Sequence, residues 1–445
     1  MPATFPFRAV TYNAPDGDVR GLIAPPYDVL DAKAKAGLIG SNAHNIVSVD
    51  LPHTPAKELG PPEAYATAAK HYADWMRSGV LRRSDKPAIF AYRQVYDFLG
   101  KRFERCGMAC TIDTVPFGPR KGGGVLPHEQ TFSGPKEDRF ALMKATACQL
   151  SPIFGLYADD LGRGTKITRG VMSSRAPDMK GDIGDGVRHE VWTVTDSSVI
   201  SAFCDALTGE DIFVADGHHR YNTALNYLSH LESIGGLSPD HPARRTMFVL
   251  VGMSDPGLAI GPTHRVLGGM QGYSWDAFNR ATEEHFEVET IGKDPAGIER
   301  ALAKAPVGTC VLGLLDFKSG TCAVARPRSG DPLATMFPSK SAAWRGLDVA
   351  IIQHLLVEKI CVPSLNSGKD IKWAFPHSMP EVLEIGSGRE TGAGGGAGFA
   401  QVAVIVRPTP LAAVRDVSKA NELMPQKSTF FYPKLATGLF LNPLA

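Results

Sequence analysis

Five consecutive residues, Asp216, Gly217, His218, His219 and Arg220, stand between the apolar run "DIFVA" and the pattern "RYNTALNYL", in which Tyr221, Ala224, Leu225 and Leu228 share one helical face. Where a strand turns into a helix, the first backbone N–H groups lack intrahelical partners and the helix dipole adds partial positive charge. Such a corner suits a phosphate or another anion. Gly217 allows close backbone approach, Arg220 offers a two-pronged guanidinium, and His218 and His219 can donate N–H bonds. Asp216 repels anions, so its expected role is to cap the helix, orient a histidine, or hold a magnesium ion beside the phosphate. A structural transition metal on the paired histidines is disfavoured: adjacent residues at a helix start point apart, and no third ligand follows at i,i+4 spacing. A capped turn with no ligand is the plain alternative, since Asp-Gly turns are common.

Three further stretches carry reactive residue types. In "LPHEQTFSGPKEDR", His128 or Glu129 can accept a hydroxyl proton while Lys136 and Arg139 neutralise phosphate oxygens. The alternative there is a solvated helix start with acidic first-turn residues. In "GPTHRVL", His264 and Arg265 follow a strand-like "GLAI" and suit a binding cleft, or else a polar surface. In "MPQKSTFFYPKL", Lys427 and Ser428 can contact phosphate and an aromatic ring can stack on a base; otherwise these are core aromatics with a snorkelling Lys434. The glycine-rich segment 386–400 reads as a flexible loop, because no lysine and hydroxyl residue close it as in a P-loop.

The elements that must position these groups follow from pattern. The chain has 445 residues, 43% hydrophobic, enough for two or three domains or lobes. Lys+Arg 47 against Asp+Glu 46 gives a net charge of +1, which favours neither nucleic acid nor an anionic membrane overall. No apolar run reaches the roughly 20 residues of a spanning helix and no signal-peptide pattern opens the chain, so a cytoplasmic protein is expected. The seven cysteines form no CxxC pair and read as reduced thiols, with Cys106 and Cys110 together on one strand face. A strand and turn are expected at "VRGLIAPPYDVL", a second strand at "AHNIVSVDLP", a helix over "PPEAYATAAKHYADWMRSGVL", and a β-hairpin over 87–113 that turns near Leu99-Gly100. Short strands are expected over 165–200, then helix, strand, tight turn and helix through the polar corner, and helix and strand alternation to the end. "LDVAIIQHLLVEKI" reads as a buried helix with His354 in the core or at its rim. Hairpins interrupting the alternation argue for α+β, not a doubly wound sheet.

"VADGHHRYNTAL" resembles the DGHHR signature of the ParB/sulfiredoxin-like superfamily, in which this turn binds nucleotide phosphates, and is similar in wording to its free serine kinases. "APPYDVL", "LPHEQTFSGPKEDR", "LSPIFGLY", "PTHR" and "MPQKSTFFYPKL" together resemble domain-of-unknown-function family 1015 nearly end to end; that family supplies no settled activity. The resemblance implies a ParB/sulfiredoxin-like core over 1–270 elaborated by a β-hairpin insertion at about 86–200, and a C-terminal α/β lobe over 271–445. It also implies ADP or ATP, with Mg2+ beside the phosphates, as cofactors. Free serine kinases use an N-terminal glutamate as base; the comparable segment here offers Asp28 instead. The favoured expectation is phosphoryl transfer to a small hydroxyl metabolite, with serine suggested by resemblance alone. Alternatives are a phosphatase acting on phosphoserine or a similar ester, and a non-catalytic nucleotide-binding regulator. Nucleic acid is disfavoured as a partner because no helix-turn-helix or basic tail is visible.

Overall fold

The structure, a computed structural model, describes residues 2–56, 58–129, 134–389 and 396–445. Thr131 and Ser133 of the polar loop, and 390–395 of the glycine-rich segment, therefore lie outside the described residues. The chain divides into two compact units, one of residues 1–127, 131–259 and 431–445, the other of 128–130 and 260–430.

In the first unit nine strands join one sheet among the described residues. Their spatial order is Val125–Leu126, Ile212–Asp216, Ile153–Tyr157, Arg245–Gly252, Lys101–Asp113, Ile89–Phe98, Arg188–Val194 and Met179–Asp182, with Thr4–Phe5 beside Lys101–Asp113. Two pairings are parallel and the rest antiparallel. The expected hairpin forms, pairing Phe98 with Lys101 across Leu99 (φ 49) and Gly100 (φ 73), the positive angles a tight hairpin turn demands. Period-2 alternation puts Cys106, Met108, Cys110 and Ile112 on one face, where they pack with Trp192, Val214, Tyr221 and Phe248. All seven cysteines are free thiols. Six of the sheet's nine strands lie within residues 86–200.

Three local expectations are corrected. "VRGLIAPPYDVL" forms no strand and holds only the short helix Tyr27–Val29. "AHNIVSVDLP" contains the short helix Val47–Asp50 in place of a strand; Val47, Val49 and Asp50 are all buried, so the apolar run reflects burial on every side and not alternation. The stretch 165–200 begins within helix Arg163–Ser174, which buries Thr165, Thr168 and Met172 at helical spacing, before strands Met179–Asp182 and Arg188–Val194. Helix Pro62–Ser78 starts with proline at its first position and ends at Gly79 (φ 77), as its sequence requires.

The second unit holds an antiparallel sheet in the order Phe286–Gly292, Cys322–Pro327, Leu312–Asp316, Ala400–Ile405, Arg265–Gly268, Lys372–Ala374. Leu267, Leu314, Val402 and Val404 face one apolar cluster; Val266, Leu315, Ala403 and Ile405 face another. A sheet buried on both faces reads as continuous apolar runs, which is why its strands resemble those of a parallel α/β lobe in sequence. The unit's main segment begins at 260, eleven residues before the start of the expected lobe, and 431–445 belong to the first unit, where expectation put them in the C-terminal lobe. His354 sits at the rim of its helical stretch, bonded to Glu358 at 2.7 Å.

Candidate phosphate-binding site

Strand Ile212–Asp216 buries its first four residues and delivers Asp216, half-buried, to the sheet end. Gly217 then adopts φ 97 and opens helix His218–Ile234. Only glycine enters that region without strain, and a Cβ there would lie 3.0 Å from the Arg220 guanidinium. No side chain caps this helix, whereas Asp196, Ser274, Asp294 and Ser341 each cap theirs. Tyr221 fixes the entry angle: its hydroxyl donates to the Val115 carbonyl at 2.6 Å and its ring packs between Phe117 and Phe248. The corner exposes a helix N-terminus on a rigid base, which favours an anion.

Two cations meet on Asp216. Lys434 Nζ donates to Oδ1 at 2.6 Å and Arg220 Nη2 to Oδ2 at 2.5 Å; Arg220 also donates to the Pro152 carbonyl. Lys434 is placed by Arg105, a fully buried cation that donates to the carbonyls of Tyr432 (3.2 Å) and Pro433 (2.6 Å) and to Gln94 Oε1. Gln94 in turn donates to the Lys434 carbonyl at 2.9 Å. Burial opposes charge on Asp216, yet Lys434 and Arg220 outweigh it and hold the carboxyl well below the usual range. Burial also opposes charge on Arg220, and Asp216 and Asp28 more than restore it. Burial and Lys136 push the His219 imidazole towards its neutral form. Asp28, exposed in the short helix Tyr27–Val29, acts electrostatically on Tyr27, His219, Arg220 and Lys434, which puts it beside the corner.

A cavity of about 450 Å³ adjoins the corner through Arg220, with Tyr27, Asp50, Arg139 and Ser151 also in its wall. Arg139 stacks 4.1 Å from the Tyr27 ring centroid, donates Nε to Asp138 at 2.6 Å, and reaches the Asp50 carbonyl at 2.5 Å. Asp138 is fully buried and further bonded to His53 (2.6 Å) and Tyr65 (2.8 Å).

Of the residues singled out in sequence, Asp28, Lys136, Arg139 and Asp216 to Arg220 belong to the first unit. His128, Glu129, His264, Arg265, Lys427 and Ser428 belong to the second, where several are engaged with one another. His128 Nε2 contacts Thr429 Oγ1 at 2.8 Å, and Glu129 Oε1 accepts the Ser428 N–H at 3.0 Å. Three expected phosphate ligands are corrected by their partners. Buried His264 accepts the Val406 N–H, and burial lowers its pKa to about 4; buried Arg265 donates to the carbonyls of Thr263 and Lys427; the Ser428 hydroxyl donates to the Pro425 carbonyl. Lys427 is exposed, at φ 58, and its carbonyl serves Arg265. Arg139 lines the cavity with its charge compensated by Asp138 and Asp50.

Asp216 anchors Arg220 and Lys434. With both its oxygens on cations it does not fit the expected magnesium ligand, and no group of three metal-binding side chains occurs among the described residues. Asp50, Ser151 and His53 escaped sequence reasoning. Asp50 closes the run "IVSVD", and a carboxylate ending so apolar a stretch was the available signal.

Fold and site together define an α+β protein with a polar strand-to-helix corner. The chain belongs to the family described as "Protein of unknown function (DUF1015)", whose model matches residues 4–350. No curated protein matches it. Among solved structures it is similar to a mutant free serine kinase in complex with AMP, with 14% identity over 71% of this chain and 89% of that one, TM-score 0.33. A conserved hypothetical protein from Pyrococcus furiosus gives 14% identity, 73% and 98% coverage, TM-score 0.31. C-terminally truncated SbnI from Staphylococcus aureus gives 10% identity, 72% and 84% coverage, TM-score 0.31. No helix among the described residues is long and apolar enough to cross a membrane.

Proposed function

We propose that the protein is a phosphotransferase-type enzyme that seats the phosphates of ADP or ATP on the Asp216 to Arg220 corner and phosphorylates a small hydroxyl metabolite. The observation that carries this reading is Gly217 at φ 97 opening an uncapped helix, with Arg220 and Lys434 locked beside it on Asp216. Helix N–H groups and His218 donate to phosphate oxygens, and Arg220 and Lys136 supply charge. The acceptor hydroxyl gives its proton to Asp28, its oxygen bonds to the terminal phosphorus, and the bond to the departing nucleotide oxygen breaks. Such chemistry needs positioning and charge neutralisation and no covalent nucleophile. The resemblance of the corner to that of free serine kinases suggests serine as acceptor. No step is assigned to magnesium.

The test is phosphorus NMR of the protein with ADP or ATP, magnesium and pooled hydroxyl metabolites. A new phosphomonoester resonance that requires nucleotide is expected. No phosphomonoester from any pool, with protein shown to be folded, overturns the assignment.

A further inference from the structure

We infer that the Thr429 hydroxyl is a nucleophile, deprotonated by His128, that accepts a phosphoryl group. Thr429 Oγ1 lies 2.8 Å from His128 Nε2, although 301 residues separate the two in sequence. A hydroxyl is a weak nucleophile until a neighbouring base can take its proton, and hydrogen-bond reach between the two is the structural signature of such a pair. With its hydrogen on Nδ1, the imidazole turns the Nε2 lone pair to the hydroxyl. His128 is 1% exposed, so water has little access to that nitrogen, while Thr429 is half-buried and can be reached from outside. Glu129 Oε1 stands 3.7 Å from Nε2, where it stabilises the imidazolium that forms.

The loop that presents the hydroxyl is held from several sides. Glu129 accepts the Ser428 N–H at 3.0 Å, Thr409 Oγ1 donates to the Ser428 carbonyl at 2.6 Å, and Arg265 donates to the Lys427 carbonyl at 3.0 Å. These bonds keep Lys427 at φ 58, a region that suits glycine or asparagine and strains a lysine. Strain that the surroundings hold in place clusters where function needs the side chain. Lys427 is exposed, and among the described residues its ammonium has no partner, so it can meet the oxygens of an incoming phosphate two residues from the hydroxyl. Nucleophile, base, carboxylate and cation all belong to one unit. In the transfer from a phosphoanhydride, a bond forms from Thr429 Oγ1 to phosphorus and the anhydride P–O bond breaks with its electrons on the departing oxygen. The Thr429 proton goes to His128 Nε2. ATP as the donor rests on the phosphotransferase reading; the nucleophile does not.

The experiment treats the full chain with two phosphorus electrophiles, an uncharged alkyl fluorophosphonate and ATP with magnesium, and maps the modified peptide by mass spectrometry. Both reagents are expected to modify Thr429. His128→Gln should slow both reactions at least about tenfold. Glu129→Gln, which keeps an acceptor for the Ser428 N–H, should slow both at least about threefold. Lys427→Asn keeps the backbone and removes the charge, so it should slow transfer from ATP at least about tenfold and change the fluorophosphonate reaction less than about twofold. Folded wild-type protein with Thr429 unmodified by either reagent overturns the proposal, as does a folded His128→Gln protein that reacts at the wild-type rate. Modification by the fluorophosphonate alone upholds the nucleophile, with a phosphoanhydride other than ATP as donor. The same samples are assayed for phosphomonoesters of hydroxyl metabolites. Product formed while Thr429 resists both reagents contradicts only this site, and modified Thr429 without product contradicts only the phosphotransferase reading.

Discussion

Lys434 reaches Asp216 at 2.6 Å across 218 residues of sequence, so the last strands of the chain complete the corner that the middle of the chain begins. Asp216→Asn leaves Lys434 and Arg220, both largely buried, without their shared carboxylate. Removing one partner of such a network costs about 3 kcal/mol, and urea denaturation should read that loss. The native carboxyl is held below its usual range, so its contribution is in place above about pH 4 and disappears as the pH falls through the folded value. The variant should lack this acid-side dependence.

Gly217→Ala tests the backbone requirement. A residue with a Cβ at φ 97 is strained by about 1–3 kcal/mol and meets the Arg220 guanidinium at 3.0 Å. Nucleotide affinity should fall at least about tenfold by calorimetry, with a lower Tm.

How much of this was legible is clear at the same place. The order strand, glycine turn, helix over 212–234 follows from apolar period and glycine alone, and the structure has it. The partner of Asp216 was not legible, because no spacing rule connects residues so distant; Lys434 reads equally well as a snorkelling surface lysine. Asp50 was hidden because a fully buried four-residue helix and a buried strand leave the same apolar signature. His264 and Arg265 misled for the opposite reason: polar residues at a strand end suggest a cleft, yet here they satisfy backbone groups of their own unit.

Arg105→Met removes a buried cation that bonds the carbonyls of Tyr432 and Pro433 and the side chain of Gln94. Stranding these acceptors should cost about 2–4 kcal/mol in urea denaturation. With Lys434 no longer positioned, nucleotide binding should weaken in the folded fraction.

Two buried histidines set a second acid dependence. Burial lowers His189 to about 3 and His264 to about 4, so each stays neutral in the folded chain while the unfolded chain takes up protons below about pH 6.5. The unfolded state then binds more protons, and stability falls as the pH drops. At pH 5 each should have cost about 2 kcal/mol relative to neutral pH. His189→Gln should remove its share of the slope, measured by denaturation at a series of pH values.

The central claim is that the corner beginning at Asp216 holds phosphate oxygens. The most direct measurement is a backbone amide NMR titration of protein carrying isotope-labelled histidine, with inorganic pyrophosphate and then ADP as titrants. The His218 and His219 amides should shift together and saturate, ahead of those of His128 and His264. Saturable binding of either titrant that leaves the His218 and His219 amides unmoved would contradict the account.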